Sequence, residues 1–94
     1  MSNDPADRNI LSSPAAYDAV LGLSSGQTAR WGNLLLKIIE GGSLHQVMEM
    51  AGRAEGYALG LRDAGVITEI QRDRMACLAM AVAAEKIQHL PDDA

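Results

Sequence analysis

Apolar and polar positions follow a helical period along most of this chain. Trp31, Leu34, Leu35, Ile38 and Ile39 recur at i, i+3, i+4, i+7 and i+8, which lines one face of an α-helix. That helix runs from about Ser25 to Glu40, and Gly41-Gly42 stops it. Leu44, Val47, Ala51, Ala54, Ala58 and Leu61 form the inner stripe of the next helix, from about Leu44 to Ala64. Gly65 suits a left-handed cap, with Val66 packing back on Leu61. A third long helix starts after Thr68, runs to about His89 and is ended by Pro91. Ahead of these, Ser13-Pro14 pairs a capping hydroxyl with proline at the first helical position. It opens a short helix from Pro14 to about Leu21, closed by Gly22. Residues 1–12 are polar, contain Pro5 and show no period, so they read as a flexible tail. Residues 13–90 read as one helical domain and residues 91–94 as an acidic stub.

The helix starts share a signature. Ser24 with Gln27, Ser43 with Gln46 and Thr68 with Gln71 each place a hydroxyl three residues before a glutamine. In this capping box the hydroxyl accepts from a free N–H of the first turn and the glutamine reaches back to the cap. The expected fold is all-α: a compact domain of four helices, one short and three longer.

Two stretches break the ordinary pattern. Residues 75–84, MACLAMAVAA, are apolar around the whole helical circumference, whereas a surface helix carries a polar face. The other helices are too few and too short to surround it. The reading is therefore a homodimer in which Met75, Leu78, Ala79, Val82 and Ala83 form the interface. In the preceding helix Gly52, Gly56 and Gly60 fall at i, i+4 and i+8. Each glycine costs about 1 kcal/mol against alanine in a helix interior. A stripe of them predicts close packing against another backbone.

Composition narrows the function. At 94 residues there is room for one domain. With 3% aromatic residues and no Phe, the core must be aliphatic, which favours helices. The net charge is −4, but it sits at the ends, since residues 25–90 hold as many acids as bases. Nucleic-acid binders carry a basic field, so nucleic acid is not the expected partner. No stretch is long enough for a membrane span and no signal peptide opens the chain, so a cytoplasmic location is expected. A lone cysteine forms no intrachain disulfide.

Candidate chemistry is sparse. His45 and Glu49 lie at i, i+4 but make only half a metal site, and His89 is far along the chain. Cys77, inside the apolar run, reads as a small buried hydrophobe. The stretch GRAEGYALG matches no phosphate-binding loop, and the serines are caps. Neither a catalytic site nor a cofactor or metal is expected. Trp31 leads an apolar stripe and reads as a core anchor.

The stretch AEGYALGLRDAGVITEIQRDRMACLAMA, residues 54–81, resembles a phrase found in small helical proteins of proteobacterial phages and mobile elements. The resemblance implies an accessory factor that binds a host protein. Inhibitors of host defence, anti-CRISPR proteins among them, are one such class. The function expected is a non-enzymatic protein-binding module that covers a basic partner surface with Glu49, Glu55, Asp63, Glu69 and Asp73. The alternatives are a helix-turn-helix DNA-binding regulator using Arg72 and Arg74, and a purely structural dimerisation domain.

Overall fold

The computed structural model describes residues 14–91. The described residues are helical and hold no strand. Three long helices dominate: α2 (Ser25–Glu40), α3 (Leu44–Asp63) and α4 (Glu69–Gln88). The six-residue α1 (Pro14–Ala19) precedes them and is shorter than the sequence pattern predicts. The cap expected at Ser13, the tail at 1–12 and the acidic residues 92–94 lie outside the described residues.

Cap chemistry sets the starts of the long helices. Ser24 forms the full capping box: its Oγ accepts from Gln27 N at 3.1 Å, and Gln27 Oε1 accepts from Ser24 N at 2.9 Å. Ser43 and Thr68 likewise accept from Gln46 N and Gln71 N, but their glutamines turn elsewhere. Gln46 Oε1 accepts from Gly42 N at 2.8 Å, one residue before the cap. Gln71 leaves its own helix and donates from Nε2 to the carbonyls of Ala19 and Leu21. Those carbonyls have no later helical N–H to receive, so Gln71 fastens the end of α1 to the start of α4.

The turn between α3 and α4 is a Schellman motif. Gly65 takes φ +78°, Val66 N donates to Leu61 O and Gly65 N donates to Arg62 O, both at 2.9 Å. Val66 does not bury itself against Leu61 as the sequence suggests. It stays 38% exposed, and the next residue, Ile67, enters the core at 7%. Between α2 and α3 the fit is tight for a different reason. A Cβ on buried Gly41 would lie 2.9 Å from Val47 Cγ2 and 3.2 Å from Val47 N. Val47 is a stiff side chain with no exposed surface.

Short connections fold α3 back along α2 and α4 back along α3. α4 packs against α1, α2 and α3. The core consists of Ala16 and Ala19 of α1, Trp31, Leu35 and Ile38 of α2, Val47, Ala51, Ala54, Ala58 and Leu61 of α3, Ile67, and the inner side of α4. Trp31 is the core anchor expected of it. The alanines let the helices approach closely, and Trp31 is the largest fully buried side chain.

Among the described residues, Gly52, Gly56 and Gly60 pack against no other helix. All three are exposed, and a Cβ on any of them would meet nothing within 4 Å. The stripe lies on the side of α3 opposite Val47, Ala51, Ala54 and Ala58, so the core never reaches it.

Glycine substitutions separate these two situations. Gly41→Ala should lower stability by about 1–3 kcal/mol through overpacking against Val47. Gly52→Ala, Gly56→Ala and Gly60→Ala should each raise it by about 1 kcal/mol. Urea denaturation of the four variants reads both signs.

Candidate interaction surface

The apolar run in α4 divides into two faces. Met75, Leu78, Ala79, Val82 and Ala83 are buried in the chain's own core. They are not a dimer interface, because reaching them would mean prising α4 off α1, α2 and α3. The part of the helix left over is the opposite face, made by Cys77, Met80, Ala81 and Ala84, all exposed. Cys77 is thus a surface thiol and not a buried one. Counted at 100° per residue, position 77 sits on the far side of the helix from Met75 and Ala79. Ile70 extends the face by two turns toward the N-terminus and is 64% exposed.

Charge borders the strip from Cys77 to Ala84, and Asp73 interrupts the face between Ile70 and Cys77. At the α3–α4 turn, Arg62 binds Asp63 at 2.8 Å and Glu69 at 2.7 Å. Arg72 binds Glu69 and Asp73, each at 2.7 Å. Hydrogen bonds from Arg72 first, and Arg62 next, hold the Glu69 carboxyl below its ordinary 4.5. The same bonds raise both guanidinium groups: Arg62 chiefly through Asp63, Arg72 chiefly through Glu69. The network joins two turns of α4 to the end of α3.

The expected acidic patch is dispersed by this pairing. Asp63, Glu69 and Asp73 are all in the network, and Glu49 pairs with Arg53 on its own helix at 3.5 Å. Of the five acids, Glu55 alone takes part in no ion pair among the described residues. Arg72 is equally committed and half-buried, which takes it away from a base-reading role. Arg74 is exposed and takes part in no ion pair among the described residues.

Neither protein-family models, nor curated proteins, nor solved structures give a match to this chain. Function has to be read from the surface itself.

The other surfaces offer less. Among the described residues no group of three His, Cys, Asp or Glu side chains gathers to hold a metal ion. His45 is exposed at the start of α3, with Glu49 turned to Arg53. His89 Nδ1 lies 2.8 Å from the Glu85 carbonyl at the end of α4. A shallow groove along α2, lined by Gly26, Ala29, Arg30, Asn33, Leu34 and Lys37, holds no acid, hydroxyl, thiol or imidazole. No described helix is long and apolar enough to cross a membrane.

Sequence reasoning found the apolar run but not the side of it that faces outward. No polar residue within 75–84 marks a solvent side.

The Glu69 network predicts an acid-dependent contribution to stability. A depressed carboxylate stabilises the fold at pH values above 4.5 and loses that contribution as pH falls through the lowered folded value. The melting temperature of the native chain should drop as pH is taken below 4.5. Glu69→Gln should be less stable at pH 7 and show a smaller drop. Equal slopes in the two chains would contradict the assignment.

Proposed function

We propose that this chain is a non-enzymatic protein-binding module that works as a homodimer, with the outer face of α4 as its contact surface. One observation carries the reading. Cys77, Met80, Ala81 and Ala84 present an uncharged strip of about 10 Å on a helix whose other side is already used by the core. Small side chains let a second helix approach closely, and Met80 adapts to what it meets. Isologous contact through one such strip is the simplest closed assembly.

The resemblance of residues 54–81 supports placing the module among accessory proteins that capture a host protein, with anti-CRISPR inhibitors as one class. A cytoplasmic setting belongs to the same proposal, since it keeps an exposed thiol such as Cys77 reduced. Acidic occlusion of a basic partner draws less support, because four of the five acids are already engaged in ion pairs. No observation favours the DNA-binding alternative over this reading.

Light scattering tests it. The native chain at micromolar concentration should show twice its 10.0 kDa mass. Ala81→Glu places a charge on the strip without touching the core. It should show the single-chain mass with unchanged helical circular dichroism. A native chain that stays at single mass, or an Ala81→Glu chain that stays double, contradicts the proposal.

A further inference from the structure

Resting on the α4 contact surface proposed above, the geometry points to a specific partner and orientation: we infer that a second copy of the chain packs antiparallel along α4, with Arg74 of each copy paired to Glu85 of the other. Arg74 is exposed, Glu85 is half-buried, and neither takes part in an ion pair among the described residues. The strip lies between them along the helix. They are separated by eleven positions, or three full turns at 3.6 residues each. Both therefore stand on the same flank of the strip, one beyond each end, roughly 16 Å apart along the axis.

Symmetry decides what two such flanks do when the strips meet. A two-fold axis lying between the helices and perpendicular to them reverses chain direction and keeps each flank opposite its own copy. The N-terminal end of one flank then faces the C-terminal end of the other. Arg74 lies across from Glu85, and Glu85 from Arg74, so two ion pairs close the contact. The strips between them also match: the halfway point from Arg74 to Glu85 falls between Ala79 and Met80, within the span from Cys77 to Ala84. A parallel pairing brings opposite flanks together at equal height. Glu85 would then face the flank of Met80 and Ile87, which carries no cation. Arg74 would face Asp73, which already holds Arg72, so only the antiparallel pairing gives both Arg74 and Glu85 an opposite charge.

Sedimentation equilibrium on charge-reversed chains tests the pairing. Arg74→Glu and Glu85→Arg each place like charges together at both symmetric positions. Each should weaken dimerisation roughly tenfold or more at low salt. The double variant Arg74→Glu/Glu85→Arg restores opposite charges and should return to within about threefold of the native dissociation constant. Circular dichroism confirms that each chain is folded. Two results would overturn the antiparallel pairing: single variants that dimerise like the native chain, or a double variant no better than the singles. If Ala81→Glu breaks the dimer while the four-chain charge series is flat, the contact surface stands and the antiparallel pairing falls. If the native chain is monomeric, both fall.

Discussion

Among the described residues, the chain covers only one side of α4. α4 must satisfy α1, α2 and α3 at once, and it does so with Met75, Leu78, Ala79, Val82 and Ala83. Everything beyond that arc stays in water, whatever its chemistry. In most helices the leftover arc is polar, and nothing follows. Here it is Cys77, Met80, Ala81 and Ala84, so the fold completes its core and still leaves apolar surface uncovered. The proposed function grows from that mismatch between one filled core and one helix that is apolar on both sides.

The local chemistry around α4 serves to place it. The Gly65 turn sets where α4 begins, Ile67 plugs the corner, and Gln71 holds the end of α1 against the first turn. The Arg62–Glu69–Arg72 network then ties that turn to the end of α3. These contacts use up the charges near the turn. What remains unpaired on α4 beside the strip is Arg74 at one end and Glu85 at the other. With Asp73 already held by Arg72, an uncharged strip flanked by one unpaired cation and one unpaired anion suits a partner running the other way.

Much of this fold is written in local sequence. Ser24, Ser43 and Thr68 announce the helix starts because a capping hydroxyl acts on N–H groups two or three residues away. The inner faces of α2 and α3 are legible because polar residues interrupt the apolar ones at helical spacing. Leu44 is the exception, exposed at the first position of α3. Long-range effects were not legible. Gln71 reads as a capping-box residue and instead reaches carbonyls some fifty residues away. Gly41 reads as a helix stop, and only the packed position of Val47 shows why no side chain fits there. The face of α4 was illegible for a simpler reason: ten apolar residues in a row carry no phase information. The burial of its inner residues comes from where α2 and α3 lie, which spacing alone does not encode.

Cys77 reports on the central claim directly, because it is the one thiol in the chain and it sits on the outer face of α4. Its alkylation rate should be measured in the native protein across a range of protein concentrations. If a second copy covers that face, the thiol reacts freely in dilute solution and becomes protected over the same concentrations at which the mass doubles. A rate that stays fast and independent of concentration contradicts the account.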